Sequence, residues 1–189
     1  MKLTPNESRR TLHMKFAEYI PLAIRTECDR SSCNEQHRLL HAAMGAMTES
    51  IELTFYRSKR NLVEELGDIC WYMAIALDAL GRKTILERPR DIGSHSKRSS
   101  ILVISAESAI LLDTMKKNIF YGKQYDREDY AASCEVIIHW IQQICFKQNF
   151  LFEDVLAANI RKLRVRYPDK FTDESAVNRD LASEEQALA

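Results

Sequence analysis

The stretch NLVEELGDICWYMAIALDALG, residues 61–81, sets the fold class of this chain. Its apolar side chains recur every three or four residues from about 61 to 80, which is the period of an amphipathic helix. Gly81 follows and is typical of a helix stop, because glycine readily adopts the left-handed backbone conformation found there. The spacing therefore predicts one long helix that ends near residue 80.

The same helical period recurs on both sides of this stretch. Pro21 has to kink or end the first of these helices, and the last stops before Pro168. No segment shows sustained strand alternation, and the acidic tail from 169 is expected to be only partly helical. We predict an all-α protein whose long helices pack antiparallel in a bundle. The other predicted helices span about 5–27, 35–57, 101–119, 128–147 and 151–166.

The composition agrees with a single helical domain. A chain of 189 residues can form one domain with its own core, and 5 Gly and 4 Pro leave few turns for a many-stranded sandwich or barrel. Lys and Arg total 27, as do Asp and Glu. This zero balance argues against a broad basic face for nucleic acid. We predict one domain over 1–189 and no nucleic-acid partner.

The cysteines and the apolar runs bear on the compartment. The 5 cysteines are odd in number and irregularly spaced, which favours free thiols in a reducing environment. Cys28 and Cys33, with His37 nearby, lack a second Cys or His pair at the spacing of a zinc site. The chain begins without the apolar core of a signal peptide, and no apolar run approaches the roughly 18 residues of a membrane span. We expect a cytoplasmic protein without a membrane span.

Four acidic residues form two pairs with helical spacing. Glu49 and Glu52 lie three residues apart on one helix face, and Glu65 and Asp68 repeat that spacing on the next helix. Antiparallel packing would bring the pairs face to face, where their mutual repulsion favours a hard divalent cation such as Mg²⁺. The alternative is that they are rim charges paired with nearby cations, namely Arg57, Lys59 and Arg60.

The two acidic pairs are part of a longer pattern that resembles a known family. ExxE, a short spacer and ExxD, followed late in the chain by KLRVRYP, resemble the MazG-type all-α nucleoside triphosphate pyrophosphatases. That superfamily also holds the dimeric dUTPases and the phosphoribosyl-ATP pyrophosphatases. The matching stretches bracket nearly all of the chain: LLHAAMGAMTESIEL at 39–53, residues 61–81, and NIRKLRVRYPDKFTDESAVNRD at 159–180.

The resemblance implies an enzyme that hydrolyses a nucleoside triphosphate to the monophosphate and pyrophosphate. Glu49, Glu52, Glu65 and Asp68 would hold Mg²⁺, with Mn²⁺ as a substitute, and Glu49 or Glu52 would accept a proton from the attacking water. Such an enzyme would clean or shape a nucleotide pool. Relatives differ in the base they prefer, so dGTP, dCTP and a modified dNTP all stay open. Family members assemble as dimers or tetramers, and we expect a homodimer.

Residues of the last long helix are candidates for the triphosphate. Lys162, Arg166 and Tyr167 fall on the KLxxRYP positions of the resemblance, and Asn159 lies three residues before Lys162 on the same face. Arginine suits bidentate phosphate contact. The alternative is a solvated basic helix end near its negative dipole pole.

Aromatic residues near the acidic pairs are candidates for the sugar or base. Tyr72 lies four residues after Asp68, next to the metal face. Trp71 could stack on a base, although an inward Trp is more often core. His41 lies two turns before Glu49 on a similar face, where a core histidine is the alternative to a substrate contact.

Residues 101–147 resemble a second, degenerate copy of the 35–81 hairpin. The stretch 104–117 aligns with 46–59, and 130–140 aligns with 62–72. In this alignment Glu107 keeps the acid of Glu49. The other three acids are replaced, and hydrophobic residues are expected at inward-facing positions there. The replacements are Ile110 for Glu52, Ser133 for Glu65 and Val136 for Asp68.

We thus divide the domain into a metal-binding hairpin at 35–81, a degenerate repeat at 101–147, and a C-terminal helix and tail at 151–189. The loop at 116–128 resembles one that follows the ExxE helix in short relatives. We expect it either to supply lysines such as Lys123 toward substrate or to close the bundle.

Three other functions stay open. A non-catalytic helical interaction module would treat the intact acidic pairs as a remnant. A phosphoribosyl-ATP pyrophosphatase-like enzyme is a variant within the same class, although RYPDKF favours the MazG-like branch. DNA binding by the basic segment 82–100 is a weaker third interpretation.

Overall fold

The computed structural model describes residues 14–28, 33–85 and 96–188. Over those residues the chain forms helices and no strand, which confirms the predicted all-α class. The described helices are α1 (Phe16–Ile24), α2 (Glu35–Thr54), α3 (Lys59–Ala79), α4 (Lys97–Tyr121), α5 (Arg127–Lys147), α6 (Phe152–Arg166), α7 (Asp173–Val177) and α8 (Leu181–Ala187). In this described part, no helix is both long and apolar enough to cross a membrane.

The ends of α2 and α3 follow from local capping. Gly81 has φ 72°, and the Arg82 N–H donates to the Leu77 carbonyl at 2.8 Å, so the predicted stop is confirmed. Helix α2 ends at Thr54 rather than at 57. Ser58, in extended conformation, accepts a hydrogen bond from the Asn61 N–H and begins α3. An extended cap at 58 forces α2 to end before it.

Two other boundaries differ from the predicted ones. Helix α1 passes through Pro21 and ends at Ile24, so the proline does not end it, and the predicted start at residue 5 lies outside the described residues. Helix α4 begins at Lys97 rather than at 101, because the Ser96 hydroxyl accepts from the Ser99 N–H. Most of the basic segment 82–100, from 86 to 95, also lies outside the described residues.

The long helices pack as two hairpins. Helix α2 lies against α3 and against α4, while α4 lies against α5, and α6 packs on α3. Gln36, at the start of α2, donates to Asn118 near the end of α4 at 2.6 Å, so these two helices run antiparallel. Fully buried apolar side chains from all four helices form the core, including Leu39, Leu66, Ile104 and Ile137.

The α4–α5 hairpin corrects one expectation about the degenerate copy. Ile110 is 52% exposed and does not face inward. A step of three residues turns an α-helix about 60° short of a full circle, so Ile110 leans away from the face that carries Glu107. Ser133 and Val136 are partly buried. The internal duplication itself stays a prediction.

The tail is partly helical, as predicted. Helices α7 and α8 are short, and α8 packs on α6. Helix α8 therefore lies against α6, the helix that packs on α3.

Candidate metal and substrate site

Three carboxylates of the acidic pairs converge between α2 and α3. Glu49, Glu65 and Asp68 each offer an oxygen, and these oxygens lie within 4.8 Å of one another. Glu65 is 5% exposed, while Glu49 and Asp68 are partly buried. Among the described residues, no other group of three or more His, Cys, Asp or Glu side chains gathers in this way. The face-to-face arrangement predicted for the two pairs is therefore present for three of the four acids.

Glu52 lies on the rim of this cluster. It is exposed and does not belong to the group of three, although it lines the same cavity. The cavity has a volume of about 430 Å³ and is bounded by α2, α3, α6 and the tail. Its polar lining consists of Glu49, Glu52, Asn61, Glu64, Glu65, Asp68, Tyr72, Arg166, Tyr167 and Arg179.

The cluster carries more negative charge than its surroundings neutralise. Burial, and then the charges of Asp68, Glu52 and Glu65, raise the pKa of Glu49 to about 8. Burial, and then the charges of Asp68, Glu52 and Glu64, raise the pKa of Glu65 to about 7, against an opposing hydrogen bond from Asn61 at 2.6 Å. A bound cation would stabilise the ionised form of these crowded, partly buried carboxyl groups. A set of ligands made only of oxygen atoms suits Mg²⁺ or Mn²⁺.

Helix α6 supplies the polar partners of Asp68. The Lys162 ammonium, 1% exposed, donates to Asp68 Oδ1 at 2.6 Å and also contacts Oδ2. It lies 3.4 Å from Glu64 Oε1. The Asn159 amide donates to Asp68 Oδ1 at 2.8 Å. Lys162 and Asn159 are thus brought to the acidic cluster, and their predicted contact with a triphosphate stays a prediction.

Close packing of α3 against α6 fixes this arrangement. A Cβ on Gly67 would lie 2.9 Å from Asn159 Cβ, so a side chain at Gly67 would push the two helices apart. From α1, the Tyr19 hydroxyl donates to Asn159 Oδ1 at 2.6 Å. Because that oxygen accepts from Tyr19, the amide nitrogen is left to face Asp68.

Tyr72 lies against the backbone of α2. A Cβ on Gly45 would lie 2.0 Å from the Tyr72 ring, so only glycine leaves room for the ring there. Burial, followed by the charges of Glu49 and Asp68, raises the pKa of the Tyr72 phenol. The ring therefore lines the cavity next to the carboxylates, as expected for a residue four positions after Asp68.

Two aromatic residues contact Tyr72, and one of them, Trp71, also lines the cavity. The His41 ring meets Tyr72 edge-on at 5.5 Å and Trp71 at 5.8 Å, and burial lowers the pKa of His41. The Trp71 indole donates to the Ala23 carbonyl at 3.1 Å, which anchors it to α1. His41 is thus one aromatic contact away from the cavity and is not among its lining residues.

Arg166 and Tyr167 lie on the α6 side of the cavity. Tyr167 is 6% exposed, and Arg166 forms an ion pair with Glu184 of α8 at 2.5 Å. Arg179, between α7 and α8, pairs with the same carboxylate at 2.7 Å and also lines the cavity. The cationic wall of the cavity therefore comes from both α6 and the tail.

The structure does not bring Lys123 to this cavity. Lys123 follows α4, at the end of the bundle where Gln36 of α2 meets Asn118. Glu49 lies thirteen residues further along α2, about 20 Å away at the rise of an α-helix. In the same loop, the Tyr125 hydroxyl donates to Glu35 Oε1 at 2.7 Å, a contact of the kind that would close the bundle.

The cations nearest in sequence contact other groups. Arg60 pairs with Glu185 at 3.1 Å, and the Lys59 ammonium lies 5.2 Å from the centre of the Phe150 ring. Arg57 donates its backbone N–H to Asn61 at 3.2 Å. None of these contacts is the rim pairing that was the alternative explanation of the acidic cluster.

Several residues of the site were not predicted. Asn61 lies four residues before Glu65, so its contact was readable from helical spacing. Arg179 and Glu184 lie in the acidic tail, and no local pattern connects them with α3.

Comparisons with known proteins find no matching family model, no matching curated protein and no matching solved structure.

Proposed function

We propose that this protein is a Mg²⁺-dependent nucleoside triphosphate pyrophosphohydrolase that converts a (d)NTP and water to the (d)NMP and pyrophosphate. The observation that carries the proposal is the convergence of Glu49, Glu65 and Asp68 in an open cavity whose other wall carries Arg166. Acidic and basic groups on opposite walls are what a metal-bound phosphate chain requires.

The residues present fit a hard divalent cation. Glu49, Glu65 and Asp68 would hold it, with Glu52 at the rim as a fourth donor. One lysine cannot neutralise four carboxylates, and the raised pKa values of Glu49 and Glu65 reflect their burial first and then the charges of the neighbouring acids. A bound Mg²⁺ would neutralise phosphate oxygens and favour in-line attack by water.

The proton of the attacking water needs an acceptor in the cavity. Glu49 and Glu52 are the proposed acceptors, Glu49 from inside the cluster and Glu52 from its solvent side. Lys162 keeps Asp68 ionised and oriented, because its ammonium contacts both oxygens of that carboxylate. Asp68 Oδ1 accepts from both Lys162 and Asn159, whereas Oδ2 accepts from Lys162 alone and keeps a lone pair that can face a cation.

The remaining lining residues would bind the rest of the nucleotide. Arg166 suits the phosphate chain because a guanidinium presents a planar pair of donors. Tyr72, held on Gly45, presents a rigid phenol for the sugar or base, with Tyr167 on the α6 side.

We propose that the protein is a homodimer in a reducing cytoplasm. Its cysteines are free thiols, as expected in such a compartment: Cys28, Cys33, Cys70, Cys134 and Cys145.

Two other functions give different outcomes in the same assay. A non-catalytic helical module would turn over no triphosphate. It would also retain a buried acidic cluster that costs free energy and that serves no function in such a module. A phosphoribosyl-ATP pyrophosphatase-like enzyme would act on that substrate and spare simple nucleotides. Pyrophosphate release from a panel of dNTPs, NTPs and phosphoribosyl-ATP separates the three.

The deciding experiment uses purified full-length protein freed of metal with EDTA. We expect nucleoside monophosphate and pyrophosphate only after Mg²⁺ or Mn²⁺ is restored. Glu49→Gln should lower kcat about 100-fold or more, since it removes a charge from the transition-state environment. Glu107→Gln is the matched control, at the aligned and also partly buried position of α4, and should stay within about twofold. The absence of turnover for every triphosphate would contradict the proposal.

A further inference from the structure

The C-terminal tail contributes an arginine to the cavity wall. We propose that Arg179 is a phosphate-contact residue of this site and that Glu184 positions it together with Arg166. The identity of the ligand, a polyphosphate chain, rests on the function proposed above. The geometry of the three side chains stands independently of it.

Glu184 is held by both guanidinium groups at once. Its Oε1 accepts from Arg166 Nε at 2.9 Å and its Oε2 from Arg166 Nη2 at 2.5 Å. Arg179 makes the same two-atom contact, with Nη2 at 2.7 Å from Oε2 and Nε at 3.4 Å from Oε1. Glu184 is 2% exposed, so this carboxylate is withdrawn from solvent between the two arginines.

The two arginines face the cavity and Glu184 does not. Both line it beside Glu49 and Asp68, whereas Glu184 is not among the lining residues. Glu184 occupies the Nε and Nη2 side of each guanidinium. A guanidinium carries five N–H donors in a fixed fork, so Nη1 of each arginine retains donors for a second anion. This geometry suits a phosphate oxygen on the cavity side.

The tail is attached firmly enough to hold this arrangement. The Arg161 side chain donates to the Ala187 carbonyl at 2.9 Å, and Leu188 is 7% exposed. Arg60, at the start of α3, pairs with Glu185 at 3.1 Å. Helix α8 is therefore tied to both α6 and α3, the helices that carry the rest of the site.

The charges of the group favour an anion. Two arginines and one glutamate leave one net positive charge on this wall, opposite an acidic cluster that favours a cation. A phosphate chain with its bound cation could then contact both walls. Glu184 fixes the orientation of both arginines before the ligand binds, which lowers the entropic cost of binding.

A different role for Glu184 predicts the opposite effect. If its carboxylate occupied the place of a phosphate group, it would compete with the ligand, and its removal would strengthen binding. If it positions the arginines, its removal weakens binding. The sign of the change for Glu184→Gln therefore decides between the two.

The test measures binding of inorganic triphosphate, with Mg²⁺ present, by calorimetry on the full chain. Arg179→Ala should weaken binding about tenfold or more, the usual loss for a charge-assisted contact. Arg179→Lys should recover part of it, because the charge returns without the fork. Glu184→Gln should weaken binding by a smaller factor, and by less still in an Arg179→Ala background. Glu174→Gln, on the exposed surface of α7, is the matched control and should bind as the wild type does.

The same variants separate this inference from the proposed function. In the nucleotide assay, Arg179→Ala should raise KM more than it lowers kcat. Tighter binding by Glu184→Gln, or unchanged triphosphate binding and KM in Arg179→Ala, would overturn the inference while leaving hydrolysis by the wild type intact. If the wild type binds triphosphate through Arg179 but hydrolyses no nucleotide, the phosphate contact stands and the proposed function fails. Arg179 is 38% exposed at its side chain, so its replacement should leave the fold in place, which circular dichroism can check.

Discussion

The α2–α3 and α4–α5 hairpins share a packing pattern and differ in chemistry. Residues 46–53 and residues 104–111 pass through the same order of buried, partly buried and exposed positions. The matched Ser50 and Ser108 are both buried, and each hydroxyl donates to a carbonyl of its own helix at 2.8 Å. The apolar positions that build a helical hairpin are therefore alike in the two regions.

The positions that carry charge differ. Glu49 has a counterpart in Glu107, but Ser133 and Val136 stand where the first hairpin has Glu65 and Asp68. In the first hairpin three carboxylates gather, and within the described residues the second has no such group. We propose that these half-buried positions decide whether a hairpin of this shape can hold a cation or only completes the bundle.

A second difference concerns the space beside the acidic face. Gly45 gives the Tyr72 ring room against α2, while the aligned position on α4 is the partly buried Val103. The residue aligned with Tyr72 is the buried Trp140, so both hairpins have an aromatic ring at this position. In the first hairpin the ring lies against a glycine and lines the acidic cavity.

The largest expected effect on folding is at Lys162. Lys162→Met leaves Asp68 without its buried partner and should lower the free energy of unfolding by about 3 kcal/mol in the absence of a divalent cation. Urea unfolding in EDTA measures this change. Lys116→Ala on α4 removes a surface pair with Asp113 and should cause no measurable change. Asp68→Asn should restore part of the loss in the Lys162→Met background, and the absence of any rescue would contradict the pairing.

A smaller loss is expected when the first hairpin receives the side chain of the second. Gly45→Val places atoms where the Tyr72 ring lies and should cost about 1–3 kcal/mol, as overpacked cores do. Thermal unfolding measures it. Tyr72→Ala removes the clash, so Gly45→Val should cost less in the Tyr72→Ala background than in the wild type, as a double-mutant cycle would show. An unchanged melting temperature in Gly45→Val would contradict the close approach.

The pH dependence of stability should distinguish the acidic hairpin. The folded-state pKa values of Glu49 and Glu65, about 8 and 7, lie above the value of about 4.3 for an unfolded glutamate. The folded state therefore binds more protons. The stability from these groups is fully present below about pH 4 and is lost as pH rises through 7 to 8.

Urea unfolding in EDTA at pH 6 and pH 9 measures this loss. We expect the free energy of unfolding to fall by about 1 kcal/mol over this interval. This figure already allows for screening by solvent at the open side of the cavity. The double variant Glu49→Gln, Glu65→Gln should lose less stability over the same interval, because its amides do not titrate. Equal losses in both proteins would show that the acidic cluster does not cause the pH dependence.

The smallest effect on stability is expected when an acidic residue is placed on the surface of the second hairpin. Ile110→Glu restores the residue type of Glu52 at a position that is 52% exposed, so stability should change by less than about 0.5 kcal/mol. Chemical unfolding measures it. A loss of several kcal/mol would mean that Ile110 packs inward after all.

The fold was largely readable from the sequence because its signals are local. Helical spacing identified each long helix, and Gly81 marked the end of α3 through a positive φ. The ends of α2 and the start of α4 were less accurate, because Ser58 and Ser96 act as caps through hydrogen bonds made only in an extended conformation. Helix α1 continues through Pro21, so of the two expectations at that residue the helix end is wrong.

The site was readable only where its residues share a helix. The three-residue spacing predicted that Glu65 and Asp68 lie together, but the same spacing leaves Glu52 on the rim. Which member of an i,i+3 pair faces the neighbouring helix depends on how α2 and α3 pack, and the spacing does not encode that. Contacts of Asp68 with Lys162, and of Arg166 with Glu184, join segments far apart in the chain or on different helices. No periodic pattern encodes such contacts, because they depend on how α6 and the tail pack.

We propose that Glu49, Glu65 and Asp68 hold a divalent cation and that the second hairpin holds none. A titration of metal-free protein with Mn²⁺, followed by the paramagnetic resonance of the free ion, tests it most directly. We predict saturable binding by the wild type and by Glu107→Gln, and binding at least tenfold weaker for Glu49→Gln, Glu65→Gln and Asp68→Asn. Wild-type affinity in Asp68→Asn and Glu65→Gln, or an equal loss in Glu107→Gln, would contradict the account.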